Sequence, residues 1–244
     1  MPLQFQLIDE GESRSDLAVR RETKFTFDRV DLDSVRRLLE SNSRRLVHNH
    51  KVSTVRSIYF DDPGLSACHA NLDGLGLRRK LRLRWYDQLL PDRDLFLEVK
   101  WRNNRITGKH RMQMRASEPV GERSYAELIP ALLQAAPAAR TSDLLANPEP
   151  IIVVEYRREH FASLDGQLRV TIDYDLTFYR QYGRQQLKLD FPCRMDRLAV
   201  LEGKTPIGSE RELRDMFFPL TMRAARCSKY VHGCRLVGLI PSIG

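Results

Sequence analysis

The stretch Lys80-Leu81-Arg82-Leu83-Arg84-Trp85 alternates a cation with an apolar residue at every step. Side chains of an extended chain point to opposite faces in turn, so Lys80, Arg82 and Arg84 share one side and Leu81, Leu83 and Trp85 the other. The same phase returns at Glu98 and Lys100 among Leu97, Val99 and Trp101, at Lys109, Arg111 and Arg115, at Arg169 and Asp173, and at Glu202 and Lys204. Several strands therefore present charge of both signs on one face. If the apolar faces pack under helices, the charged faces must line something polar, and a closed barrel with a wet lumen meets both demands. The expected fold is α+β and mainly antiparallel β: a closed barrel with a charged lumen and helices packed outside.

Working outward, Arg20 to Phe27 reads as a strand after a flexible start over residues 1–19, and residues 20–244 read as a single domain. A helix is expected from Leu32 to Glu40 with Asp31 as its N-cap. Val52 to Asp61 is the next strand, and Asp62-Pro63-Gly64 a turn. Leu95 to Trp101 and Gly108 to Arg115 extend the basic strand into a meander. Ser124 and Glu127 have capping-box spacing before a helix, and Ala135 to Pro150 reads as a loop. Ile151 to Arg158, Gln167 to Leu176, Gln186 to Leu189 and Leu198 to Lys204 complete the strands. Ser209 with Glu212 opens a helix through Phe217, and Ser228 starts a final one.

The chain of 244 residues is 42% hydrophobic and 30% charged, with a formal net charge of +8. That balance fits a folded, non-membrane-spanning protein and favours an acidic partner: nucleic acid, polyphosphate, nucleotide or anionic membrane. The first residues show no signal peptide, no apolar run approaches the ~20 residues of a membrane span, and a cytoplasmic location is expected. Cys68, Cys193, Cys227 and Cys234 lack C-x-x-C spacing and read as free thiols. His48 and His50 read as surface imidazoles. The signatures of P-loop, serine-hydrolase and zinc-protease chemistry are missing.

A lumen of cations alone would hold any polyanion, but interleaved carboxylates would repel one unless a divalent metal lay between. Hard oxygen ligands suit magnesium or manganese, which typically bridge one or two carboxylates to substrate phosphates. Arginine holds phosphate through its fork and lysine as a point charge. Glu22-Thr23-Lys24, Glu98-Val99-Lys100 and Glu202-Gly203-Lys204 each place a carboxylate and an ammonium on one strand face. Phosphoryl transfer needs positioning and charge stabilisation, and this arrangement offers both.

Glu22-x-Lys24-Phe25, Ser57-Ile58-Tyr59-Phe60-Asp61, Arg82-Leu83-Arg84-Trp85-Tyr86, Glu98-x-Lys100, Lys109-x-Arg111, Tyr156-x-Arg158, Arg169-x-Thr171-Ile172-Asp173, Glu202-x-Lys204 and Ser228-Lys229-Tyr230 form an ordered series. The series, over roughly residues 20 to 235, resembles the VTC polyphosphate polymerase domain, one of the triphosphate tunnel metalloenzymes and a relative of the CYTH proteins. The resemblance implies a closed eight-stranded antiparallel tunnel barrel and transfer of the terminal phosphoryl group of ATP to a growing polyphosphate chain, with Mn2+ or Mg2+. It implies phosphate contacts by Lys24, Arg82, Arg84, Lys100, Lys109, Arg111, Arg158 and Lys229, with Lys80, Tyr156, Arg169 and Lys204 as further substrate contacts. Glu202 becomes the principal metal ligand, and Glu22, Glu98 and Asp173 secondary candidates.

Two other readings stay open. A hydrolase of the same fold, cutting tripolyphosphate or a nucleoside triphosphate, needs the same tunnel and metal. A binding module for polyphosphate or RNA needs no turnover, but RNA is not expected, because Trp85 and Trp101 fall opposite the cations, where they do not serve base stacking. Translocation of product across a membrane would require a separate membrane partner.

Overall fold

The computed structural model describes residues 2–11, 20–104, 106–137, 147–220, 222 and 224–241. The strands are β1 (Phe5–Gly11), β2 (Arg20–Asp28), β3 (Arg44–Leu46), β4 (Ser53–Asp61), β5 (Leu77–Tyr86), β6 (Asp94–Asn103), β7 (Ile106–Ala116), β8 (Glu149–Ala162), β9 (Arg169–Arg180), β10 (Cys193–Met195) and β11 (Leu198–Pro206). The helices are α1 (Leu32–Asn42), α2 (Ser66–Leu72), α3 (Tyr125–Ala135), α4 (Glu210–Phe217) and α5 (Lys229–Leu236). All strands join one antiparallel sheet in the order β1-β7-β6-β5-β4-β8-β9-β11-β2, with β10 beside β9 and β3 beside β8.

This corrects the closed eight-stranded barrel. The sheet has eleven strands, and among the described residues no ladder joins β1 to β2, so hydrogen bonding does not close it. The sheet curls nevertheless. β6 and β2 are separated along it by β5, β4, β8, β9 and β11, yet Lys100 of β6 lies 3.2 Å from Glu22 of β2. Ala225 N–H donates to the Lys24 carbonyl at 2.8 Å and Lys80 to Ser228 Oγ at 2.8 Å, so the segment leading into α5 spans from β2 to β5. Side chains and this strap complete what the ladder leaves open.

The apolar phase of each strand packs outward. Leu81, Leu83 and Trp85 join Leu97, Val99, Met112 and Met114 beneath Tyr125, Leu128 and Leu132 of α3. Phe25, Ile172 and Leu201 are buried with Leu32, Val35 and Leu39 of α1 and with Leu213 and Phe217 of α4. At about 25 cal/mol per Å² of apolar surface removed from water, these covers dominate the stability of the sheet. α2 and α5 behave differently, and the expectation of helices outside is corrected for them. Cys68, Tyr230, Val231 and Cys234 pack with Tyr59, Val154 and Tyr156, and Tyr59 and Tyr156 accept hydrogen bonds from Arg82 and Arg84. These two helices sit on the concave, charged side. A register shift in the β8–β9 ladder between Glu155 and Arg157 changes the phase of β9, which lets Leu176 and Phe178 meet them.

Local signals divide similarly. Ser124 and Glu127 form both bonds of the capping box. Asp31 makes no side-chain cap; Asp28 instead accepts from Val30 N–H, at a 3₁₀ turn that precedes α1. Ser209 likewise makes no capping bond. Gln186 to Leu189 is not a strand and contributes one isolated bridge to Ser124. β1 lies in the stretch expected to be flexible, because Phe5 and Leu7 find partly buried positions on the α3 core and the strand pairs with β7. Residues 12–19 of that stretch, and 138–146 of the expected Ala135–Pro150 loop, lie outside the described residues.

Candidate functional site

Glu98 is the most heavily used carboxylate of the concave face. Its side chain is 1% exposed. Oε2 accepts from Arg82 Nε at 2.6 Å and lies 3.6 Å from Arg84, while Oε1 is 2.5 Å from Lys109 and 3.5 Å from Arg111. Register explains the gathering: β5, β6 and β7 align Arg82, Glu98 and Arg111 side by side. Burial alone would raise the Glu98 carboxyl, but Arg82, Arg84 and Lys109 hold it well below the carboxylate range. Lys109 goes the other way: burial lowers it more than Glu98 raises it, and Arg82 and Arg84 lower it further, leaving a pKa of about 7.

The arginines are also held from behind. Arg82 donates to Tyr59 Oη at 2.8 Å, Arg84 to Ser57 Oγ and Tyr156 Oη at 3.2 Å each, and Arg111 to Tyr86 Oη at 3.2 Å. Tyr59 stacks on Tyr230, whose hydroxyl donates to Asp61 at 2.7 Å; Asp61 also accepts from the Ala67 and Cys68 amides at the start of α2. The Ser57-Tyr59-Asp61 phase is thus a wall that orients cations.

A second unit centres on Asp173, which is fully buried. Arg158 grips both its oxygens at 2.6 and 2.7 Å, and Lys229 reaches Oδ2 at 2.6 Å. Burial opposes the ionised carboxylate, yet Arg158 and Lys229 lower its pKa to about 2. Lys229 also lies over the Tyr156 ring, 4.8 Å from its centroid. Every oxygen of Glu98 and Asp173 therefore already faces a guanidinium or ammonium.

The third unit is different. Lys24 stands 3.2 Å from Glu22 and 3.7 Å from Glu202, Lys100 is 3.2 Å from Glu22, and Lys204 is 3.6 Å from Glu202. These ion pairs are looser, and all of them are made by lysines. Burial and Glu202 push the Glu22 carboxyl up, but Lys100, Lys24 and Lys204 hold it below its ordinary value. Burial likewise opposes ionised Glu202, and Lys24 and Lys204 lower it strongly. Lys80 has no carboxylate partner among the described residues: burial, with Lys24 and Lys100 nearby, lowers it to about 7.

The structure thus brings Lys24, Lys80, Arg82, Arg84, Lys100, Lys109, Arg111, Tyr156, Arg158, Lys204 and Lys229 to one face with Glu22, Glu98, Asp173 and Glu202, and the cations predominate. Arg169 belongs to the same face but stands at its exposed rim, at the start of β9 directly opposite Lys204. Sequence reasoning read Ser228 as the start of a helix, which its N-cap bond to the Val231 amide bears out, but missed that its hydroxyl also accepts from Lys80. Two clefts of about 650 and 540 Å³ lie elsewhere, the first lined by Leu90, Asp92, Glu118 and Glu122, the second by Arg21, Thr23 and Arg214. The chemistry follows the charged face, because clefts defined by shape do not register a face crowded with long side chains. Among the described residues no three His, Cys, Asp or Glu side chains form a metal cage, and no helix is long and apolar enough to cross a membrane.

The family model described as VTC domain matches residues 19–237, which takes in β2 through α5 and every residue of the charged face. The chain belongs to the VTC domain family. No curated protein sequence matches this VTC chain. Similar solved structures include the PH1819 protein from Pyrococcus horikoshii OT3, at 12% identity and TM-score 0.45, covering 90% of this chain and 99% of that one. Another is HpAC1 from Hippeastrum, a putative adenylyl cyclase described as having a dominant triphosphatase activity, at 15% identity and TM-score 0.48, covering 86% of this chain and 93% of that one. Identities this low carry no chemistry across to this VTC domain.

Proposed function

We propose that the protein is a metal-dependent polyphosphate polymerase that transfers the terminal phosphoryl group of ATP to a polyphosphate chain. One observation carries this reading: on a single concave face, among the described residues, cations outnumber carboxylates and include Lys80, which has no carboxylate partner there. Positive charge buried in excess is costly unless an anion completes it. A chain of phosphates, with charge at every unit, matches a face on which Lys80, Arg82 and Arg84 of β5 lie beside Lys100 of β6 and Lys109 and Arg111 of β7.

Membership of the VTC domain family supports the same substrate class. Arg82 and Arg84, oriented by Tyr59, Ser57 and Tyr156, supply fixed N–H donors to phosphate oxygens. Lys24, Lys100, Lys109 and Lys229 supply point charges. Polymerisation forms a bond from a terminal oxygen of the chain to the γ-phosphorus while the bond to the β–γ bridging oxygen breaks, and ADP leaves with that electron pair. Fixed cations around the transferred group stabilise the charge that moves to the leaving oxygen.

The donor chemistry also selects where a divalent cation fits. Glu98 and Asp173 serve as counter-ions, so Glu202 and Glu22 would hold Mn2+ or Mg2+, completed by phosphate oxygens as hard cations prefer. Bound there, the metal would neutralise phosphate charge and polarise the bond that breaks.

Incubation of the purified protein with ATP and Mn2+, followed by electrophoresis of the products, tests the proposal. Long polyphosphate is the expected product. Release of orthophosphate without chains would make the protein a triphosphatase instead, and no turnover of ATP or of tripolyphosphate supplied in its place would remove both enzymatic readings.

A further inference from the structure

The concave face grades outward. On β5, Arg84 is buried, Arg82 and Lys80 are half-buried, and Arg78 in the same phase is half-buried where the strand begins; on β6, Glu98 is buried, Lys100 half-buried and Arg102 exposed. Arg78 and Arg102 are direct cross-strand partners. Like charges opposite one another on neighbouring strands destabilise a sheet. A third guanidinium joins them from the segment that precedes α5: exposed Arg226 lies next to the turn that opens β5, with Nη1 3.6 Å from the position a Cβ on Gly74 would occupy.

No carboxylate among the described residues pairs with Arg78 or Arg226, and Arg102 spends its Nε on the Asn104 carbonyl at 2.6 Å. The charges that act on Arg78 are those of Arg102 and Arg226, and they add to burial in lowering its pKa. Inside the face the cations are balanced, in part, by Glu22, Glu98, Asp173 and Glu202. At this rim they are not balanced at all. Nothing in the packing calls for the arrangement, since α3, α1 and α4 cover the opposite side of the sheet.

We propose that Arg78, Arg102 and Arg226 form an outer collar that binds phosphates of a linear polyphosphate chain beyond the inner set, so that the protein prefers a long chain to a triphosphate. The inference rests on the reading that the inner face holds phosphate chains. A triphosphate, engaged by Arg82, Arg84, Lys100 and Lys109, has no units left to reach the collar; a longer chain extends past Lys80 and Lys100 to Arg78 and Arg102, one strand step further out. RNA fits less well, because the apolar residues beside the collar are Leu75 and Leu77, and Trp101 is tied through its N–H to His110, so no aromatic platform is presented for bases.

Calorimetric titration in EDTA, which prevents turnover, separates the outcomes. The triple variant Arg78→Gln, Arg102→Gln, Arg226→Gln should lose about tenfold or more in affinity for long polyphosphate and keep its affinity for tripolyphosphate within about twofold, as expected for surface charges that contact only the outer units. The tripolyphosphate arm also reports that the variant is folded. The corresponding Lys substitutions should retain most of the long-chain affinity. Unchanged long-chain binding by the Gln variant, or an equal loss for both ligands, overturns the collar alone. Failure of the wild-type protein to bind either ligand overturns the phosphate-chain reading and the collar with it. Single-stranded RNA that binds as tightly as long polyphosphate and loses as much would show a nonselective polyanion surface and refute the assignment.

Discussion

Glu98 allows four cations to share a small volume in the absence of a ligand, and the tyrosines behind them prevent collapse of the arginines onto it alone. A guanidinium so oriented costs little further ordering when phosphate arrives. Arg82→Ala or Arg84→Ala should therefore lower turnover about a hundredfold or more while leaving the fold intact, as judged by circular dichroism. Wild-type turnover in both variants would refute their role. Glu202→Gln should raise the Mn2+ concentration needed for half-maximal activity, and an unaltered metal titration would remove Glu202 from the metal site. Glu98→Gln should act differently: with four cations left uncompensated it should destabilise the protein, read as a lower melting temperature before any assay is run.

At the level of elements, α5 is the part whose placement matters most to the site. It contributes Ser228 to Lys80, Lys229 to Asp173 and Tyr230 to both Tyr59 and Asp61. Its close seating depends on Gly233: a Cβ there would stand 2.5 Å from Phe178 and 2.7 Å from Ile152. Gly233→Ala should thus cost about 1–3 kcal/mol through overpacking and reduce activity beyond what stability explains, because moving α5 moves Lys229. Denaturant unfolding together with turnover measured well below the melting temperature checks both parts. Equal activity at restored stability would show that α5 supports the sheet without positioning the cations.

For the whole molecule, charge on the concave face links ligand binding to pH. Lys80, lowered to about 7 by burial and neighbouring lysines, binds fewer protons when folded than when unfolded between about pH 7 and 10. Stability of the unliganded protein should accordingly rise with pH across that window. Phosphate binding requires the charged ammonium, so polyphosphate affinity should fall over the same window, and binding near pH 8 should take up protons. Titration calorimetry in buffers of different ionisation enthalpy measures that uptake; binding with no proton exchange would contradict it. At the acid end the sign reverses. Asp173 has a folded pKa of about 2, below its ordinary 3.8, so its contribution, roughly 2 kcal/mol, is complete above about pH 4 and lost as pH falls toward 2.

Much of this was legible in the residues. Alternation from Lys80 to Trp85 and its echoes in β6, β7, β9 and β11 determined these strands and which of their side chains share a face, because a two-residue period puts alternate residues on one side, and the short links from β5 to β6 and β7 made those three antiparallel. Capping at Ser124 was equally local. Tertiary structure alone decided the rest. Whether the sheet closes depends on contacts between its ends, which no strand encodes by itself, and the answer is side chains and a strap in place of a ladder. Which carboxylates become counter-ions depends on cross-strand register: Glu98 and Asp173 fall beside arginines, whereas Glu22 and Glu202 fall beside lysines and remain less tightly held. A dipeptide such as Glu-x-Lys reads alike in all three instances, since the difference lies in neighbours that are far away along the chain.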